Sequence, residues 1–404
     1  MQLTEATALE AFETAVKSLT PYPGGFAGRG IVICGGGTKY FPCAWVCINR
    51  LRDLGCDLPI ELWHLGRKEM TPTMLALMEP LGVRCVDAMV WSAERPLRRV
   101  GGFQLKAYAL LHCSFEEVLL LDADNVPVVD PQFLCETREY QNSGAVFWPD
   151  YGKLGADRSI WQLTGIPHRE EWEFESGQIL VDKRRCWQAL ELALWMNQHS
   201  EFWYRHVHGD KDTFHMAWRK LEMDYAMPET SCFSLACTMC QHDFEGRRIF
   251  QHRNFDKWTL DDPNPRFEGF IDEDLCLAHL EKLRVLWSDR PKRDFVLSEA
   301  PVTLVNIARE LAKRKWMYRR VGFDERVISF CLSGRIAIGN SEHERSWNIA
   351  ERHTGAMLSI HGKRGLTCLL HRISDAQWCG RWNIGEGMPI QLCDVSTDVR
   401  AVYT

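Results

Sequence analysis

Residues Val118, Leu119, Leu120 and Leu121 form an unbroken apolar run that ends in Asp122-Ala123-Asp124, followed by Asn125-Val126-Pro127. A short run with no polar alternation predicts a strand covered on both faces. Such strands belong to open α/β sheets, which place ligands outside the carboxyl ends of their strands. The two aspartates stand at that end. Carboxylates are hard oxygen donors suited to Mn²⁺ or Mg²⁺, and an ion there would neutralise a diphosphate. A DxD pair alone also arises as an acidic strand end capping its own turn. The apolar strand before it and the Asn-x-Pro after it favour the metal reading.

The segments around this strand alternate in the same manner. Ile31 to Cys34 reads as a buried strand entering the Gly35-Gly36-Gly37 turn, and helical periodicity follows over Ala44 to Leu54. Ile60 to Leu65 and Val83 to Val86 read as strands, Thr71 to Met78 and Phe103 to His112 as helices. This order predicts an α/β domain with a mostly parallel central sheet and helices on both sides. Beyond Ala145 the pattern is mixed, with strands at Val146–Trp148 and Gln178–Val181, helices at Trp187–Asn197 and Asp212–Leu221, and a loop at Asp261-Asp262-Pro263-Asn264-Pro265. After Gly322 the helical period gives way to short β-rich runs: Val327–Cys331, Arg335–Ile338, Met357–Ile360, Leu366–His371 and Ile390–Cys393. The expected organisation is an N-terminal helix over 1–27, the α/β domain over 28–300, a basic helical linker over 301–322 (helical from Ala308 to Arg320), and a small all-β module over 323–404.

With 404 residues the chain exceeds one ordinary core. Its net charge of -6 and lack of a basic tract argue against nucleic acid as a partner. The N-terminus has no basic start followed by an apolar run, and no apolar run approaches the ~20 residues of a membrane helix. No integral membrane segment is expected, and a soluble cytoplasmic protein follows unless an N-terminal anchor was trimmed. The 16 cysteines are scattered through apolar runs, as buried free thiols are in a reducing compartment. Cys237 and Cys240 with Cys276 and His279 have zinc-like spacing. Helical core packing explains the second pair equally well.

Five further segments suit a site around the DxD. Lys106 lies on the helix before the metal strand, aimed at phosphate or else solvated. Gly35 and Gly36 permit close approach of a nucleotide, without the spacing of a dinucleotide fingerprint. The run Phe250 to Trp258 offers His252 as a third metal ligand and Lys257 for the leaving phosphate. Glu175-Ser176-Gly177-Gln178 and Gly209-Asp210-Lys211-Asp212 are polar clusters at element boundaries, where substrate groups or helix caps lie.

The run GFQLKAYALLHCSFEEVLLLDADNVPVVDP, with GGGTKY and LRDLGCDLPIELW before it and ESGQILVDK and HGDKDTF after it, resembles the α-mannosyltransferase family of the fungal Golgi. More distantly it is similar to the glycogenin-like retaining transferases of the GT-A fold. The resemblance covers roughly residues 28 to 260. It implies a GT-A domain that uses Mn²⁺ and a nucleotide sugar, GDP-mannose first and a UDP-hexose next, and transfers hexose with retention to a glycan or other hydroxyl acceptor. Asp122 and Asp124 match the family's DxD, and His252 and Lys257 its distal metal and phosphate motif. Gly209, Asp210, Lys211 and Asp212 resemble the motif that positions the transferred sugar, Lys211 among the donor contacts. Retention needs a carboxylate on the sugar's β face or entry of the acceptor on the leaving-group side. Glu175 and Asp212, with Asp210 beside them, are the candidate carboxylates. The fungal enzymes begin with a membrane anchor, which this sequence does not lead one to expect unless it was trimmed, and the C-terminal module lies outside that family's core. A nucleotidyltransferase on a related sheet is the alternative enzyme, although no GxxxxGK[ST] loop is present. A carbohydrate-binding role would use Trp347, Trp378 and Trp382 as stacking platforms, if these are not core residues of the module.

Overall fold

The computed structural model describes residues 3–94, 98, 101–235, 238–254, 257–260, 264, 266–290, 302–352, 355–363, 365–383 and 387–395. Of the Asp261–Pro265 loop, all but Asn264 lies outside these residues. The chain forms two compact units, one of residues 1–258 and 267–289, the other of residues 259–266 and 290–404.

In the first unit, β1 (Arg29–Cys34), β2 (Ile60–His64), β3 (Val83–Asp87) and β4 (Glu117–Asp122) pair in parallel in the order β3-β2-β1-β4. The register sets Cys34 beside Asp122, so the glycine turn after β1 and the DxD leave the sheet at the same level. Val118, Leu120 and Leu121 are fully buried, as a strand covered on both faces requires. Short β5 (Asn125–Pro127) follows the DxD turn. β6 (Ala145–Lys153) and β7 (Trp172–Asp182) complete the sheet, and β7 runs antiparallel to both β4 and β6. The central sheet is therefore mixed, not mostly parallel. Parallel pairing needs a crossover, and the chain between β6 and β7 turns back instead.

A second, four-stranded sheet joins β5 to β8 (Phe233–Leu235), β9 (Thr238–His242) and β10 (Arg248–His252) in the order β5-β10-β9-β8. Its pairing of Asn125 with His252 carries a distant segment to the DxD. The apolar core of the first unit lies between the sheet and the helices Gln104–His112, Lys183–Gln198 and Asp210–Lys220.

In the second unit, the helix predicted over Ala308 to Arg320 stops at Lys313, as part of Val302–Lys313. Residues 315–320 are instead β11 (Lys315–Arg320), with Trp316 and Tyr318 buried on alternate positions. Burying those two rings outweighs the helix propensity of the basic run. The other strands are β12 (Asp324–Ser329), β13 (Ser346–Arg352), β14 (Gly355–Gly362), β15 (Gly365–Ser374), β16 (Gln377–Trp382) and β17 (Pro389–Asp394). They form one antiparallel seven-stranded sheet in the order β12-β11-β17-β16-β15-β14-β13. Trp347, Trp378 and Trp382 are buried in its core, with 3%, 1% and 7% exposure, which removes them as exposed stacking platforms.

Cys276 is buried in the helix Glu273–Leu286, and His279 hydrogen-bonds Asp53 through Nε2 at 2.7 Å. Among the described residues Cys240, Cys276 and His279 form no convergent metal-ligand group; Cys237 lies outside them. No helix among the described residues is long and apolar enough to cross a membrane.

Candidate active site

The site grows from the exit of β4. Asp122 is the strand's last residue, and Asp124 follows in the turn, 3% exposed. The backbone N–H of Arg253 donates to the Asp124 carbonyl at 3.0 Å, tying the end of β10 to that turn. His252 is thereby held between the aspartates: its Nε2 lies 3.4 Å from Asp124 Oδ1 and 3.7 Å from Asp122 Oδ2. The ligand atoms of Asp122, Asp124 and His252 converge within 4.8 Å of one another. Two carboxylate oxygens and one imidazole nitrogen fit a divalent ion, and the nitrogen donor suits Mn²⁺ better than Mg²⁺.

Behind His252 stands Glu175, whose Oε1 is 3.3 Å from His252 Nδ1 and accepts the Gly177 N–H at 2.8 Å. A carboxylate on the far nitrogen of a ligating histidine fixes the ring's orientation. Burial by itself lowers the His252 pKa, but the Asp124 and Glu175 carboxylates outweigh it and raise the group to about 10. Burial works in the opposite sense on Asp124, and the Lys257 and His252 charges hold its carboxyl well below the usual range. Burial dominates at Asp122, which is raised. Four β7 residues, Glu175 to Gln178, lie inside the strand rather than at an element boundary, because β7 begins at Trp172.

Two lysines neutralise the aspartates. Lys106 is 7% exposed, which rules out the solvated reading. Its Nζ meets Asp122 at 2.8 Å, Asp210 at 3.2 Å and the Ser176 hydroxyl at 3.2 Å. Lys257 pairs with Asp124. Gly35 and Gly36 serve packing at this level. A Cβ on Gly35 would lie 3.2 Å from the Cβ of Ala123, and one on Gly36 only 2.7 Å from the Glu69 carbonyl. Gly36 can thus approach Glu69 only without a side chain, and Gly35 packs tightly against the DxD turn.

A second polar cluster lies further along β7. Lys211 meets Asp150 at 2.7 Å and Asp212 at 3.3 Å and also pairs with Glu173. His208 Nδ1 is 3.6 Å from Glu173, and the His208 N–H donates to Asp212 at 2.7 Å. Glu173, His208 and Asp212 form the second convergent ligand group among the described residues. Asp210 and Asp212 open the helix Asp210–Lys220, where acidic residues suit the helix dipole. Asp210 turns to the first cluster, accepting from the Ser176 hydroxyl at 2.9 Å, and Asp212 to the second. Asp150 and Glu173 escaped the sequence reading, which noted Asn125 and the segment of His208 without giving either residue a role in the site. The signal for Glu173 was available: it stands two residues before Glu175, on the same strand face.

The chain matches, over residues 28–170 and 168–236, the model of the family described as "Mannosyltransferase putative". It is 26% identical over 284 residues to alpha-1,2-mannosyltransferase MNN5 of Saccharomyces cerevisiae, covering 55% of this chain and 48% of that protein. It is 28% identical over 239 residues to alpha-1,2-mannosyltransferase MNN24 of Candida albicans, covering 49% of this chain and 34% of that one. The chain spans about half or less of the length of these relatives. Among solved structures, mouse xyloside xylosyltransferase 1 aligns with a TM-score of 0.35 at 16% identity, covering 49% of this chain and 84% of that one. The matched segments run through β1, the DxD, β7 and the Asp210 cluster and make up more than half of the sequence, and on that basis the chain belongs to this mannosyltransferase family.

Proposed function

We propose that this protein is a divalent-metal-dependent glycosyltransferase that moves a hexose, mannose first, from a nucleotide-sugar donor to a glycan or other hydroxyl acceptor. The observation that carries this reading is the convergence of Asp122, Asp124 and His252 at the exit of a buried strand. When bound, Mn²⁺ supplies Lewis-acid stabilisation of a departing diphosphate. The chain's own residues do the rest. Glu175 holds the imidazole of His252 in place, and Gly35, packed against Ala123, sets the turn after β1 beside the DxD. Lys257 supplies a positive charge for the leaving group. Asp210 holds Lys106 and Asp212 holds Lys211, the two lysines beside which the sugar's hydroxyls would lie.

All three candidate carboxylates already have partners. Glu175 accepts from the Gly177 N–H and faces His252, Asp210 is held by Lys106 and Ser176, and Asp212 by the His208 N–H and Lys211. That arrangement favours retention through acceptor entry on the leaving-group side over attack by a protein carboxylate. GDP-mannose is the favoured donor, with a UDP-hexose as the alternative.

The test is Mn²⁺-dependent cleavage of GDP-mannose and of UDP-hexoses, with products identified. Release of nucleoside diphosphate is expected, and Asp124→Ala lowers its rate on the order of 10² to 10³. Release of nucleoside monophosphate would replace the transferase reading with a nucleotidyl one. Full activity in Asp124→Ala would remove the metal site altogether.

A further inference from the structure

The two lysines that meet the two aspartates are held very differently. Lys106 Nζ is fixed by Asp122, by Asp210, and by both the hydroxyl and the carbonyl of Ser176, and its side chain is 8% exposed. Lys257 Nζ has, among the described residues, Asp124, a single carbonyl, that of Asn254 at 3.2 Å, and the Tyr40 ring at 5.7 Å; its side chain is 23% exposed. Asp124 is enclosed, its side chain 4% exposed. A carboxylate so far from water is stable only with a counter-charge. In this structure Lys257 supplies it together with His252, on the same carboxyl group that the metal site requires.

Two described residues near this lysine, Arg253 and Trp258, are held in place. Arg253 and Trp258 are both buried, the guanidinium lying 3.8 Å from the ring centroid, and the Arg253 N–H is bonded to the Asp124 carbonyl. The long, flexible stem of a lysine can therefore redirect its ammonium without moving the chain. We propose that Lys257 is an exchangeable internal counter-ion. It neutralises Asp124 in the metal-free protein, yields that carboxylate to Mn²⁺, and turns its ammonium to the diphosphate. The inference rests on the metal reading above. Its consequence is a lysine that opposes metal binding when no nucleotide is present and favours the diphosphate once the ion is seated, which couples the two ligands.

The experiment is calorimetric titration of the full chain with Mn²⁺ alone, for wild type, Lys257→Met and Lys257→Arg. Lys257→Met removes the competing charge and is expected to bind Mn²⁺ about tenfold more tightly than wild type, within the usual range of coupling. Lys257→Arg keeps the charge and stays near wild type. Without metal, Lys257→Met melts below wild type, and Mn²⁺ raises its melting temperature by more. Inorganic pyrophosphate added to the Mn²⁺-loaded chain binds Lys257→Met more weakly than wild type. Should methionine prevent folding, Lys257→Gln carries the same expectations. Wild type that binds Mn²⁺ with no gain in the folded neutral variant overturns the exchange and leaves the metal site standing. Wild type that binds no Mn²⁺ overturns both.

Discussion

Gly177 has no side chain because His252 occupies the space one would need. A Cβ there would lie 2.5 Å from His252 Nδ1 and 2.7 Å from Glu175 Oε1. Gly177→Ala is therefore expected to push the imidazole off its line to the aspartates. Partners of a ligating histidine are commonly worth 10- to 100-fold in metal affinity, so Mn²⁺ binding should weaken by about that factor. A calorimetric titration of a folded Gly177→Ala that matched wild type would show that the ring is not held from this side. The sequence marked Glu175 to Gln178 as a polar cluster, but the reason for its glycine was illegible. That reason is a residue on β10, brought close only by strand pairing. A different residue, Glu171, shows charge acting on stability. Its carboxylate accepts from His215 at 3.0 Å and pairs with buried Arg219. Burial alone would raise its pKa, yet His215 and Arg219 hold it below the usual 4.5. A depressed carboxylate contributes stability fully above its unfolded value, and loses it as the pH falls through the folded value. Glu171→Gln should cost on the order of 2 kcal/mol near neutral pH. In urea titrations that difference should shrink only below about pH 4.5.

Among the elements, β5 has three residues and outsized importance. Asn125, fully buried, donates through Nδ2 to the Gly177 carbonyl at 2.9 Å and to Gln178 Oε1 at 2.8 Å, while its backbone pairs with His252. One residue thus links β7, β10 and the DxD turn. Asn125→Ala leaves buried acceptors unpaired and is expected to cost about 1–3 kcal/mol in chemical denaturation. A loss below a few tenths of a kcal/mol would mean that the link is redundant. The Asn-x-Pro after the DxD was visible in the sequence, but not that it forms an edge for β10. β8, β9 and β10 were missed because they are short and their buried residues include Gln241, Gln251 and His252, which break any apolar pattern. The opposite error occurred at β11, where a basic run with good helix formers hid the alternation of Trp316 and Tyr318.

At the scale of the whole molecule, each of the two units has its own core. One is built on the central sheet and its helices, the other on the seven-stranded sheet with Leu304, Ala308 and Leu311. Separate cores are expected to give two calorimetric transitions, of which Mn²⁺ raises only one. In the second unit a Cβ on Gly380 would fall 1.8 Å from the Leu369 carbonyl, so Gly380→Val should lower one transition and leave Mn²⁺ affinity unchanged. A single transition, shifted by both, would show that the units unfold together. Alone, the sequence determined the buried strand, the aspartates at its exit and the presence of short strands beyond Gly322, because each is written in neighbouring residues. Tertiary structure decided the mixed sheet, the pairing of each lysine with its own aspartate, and the meeting of His252 with Glu175 and of Lys211 with Asp150 and Glu173. Those contacts depend on which strands lie side by side and on charges balanced away from water, and neither is encoded in the spacing of residues along the chain.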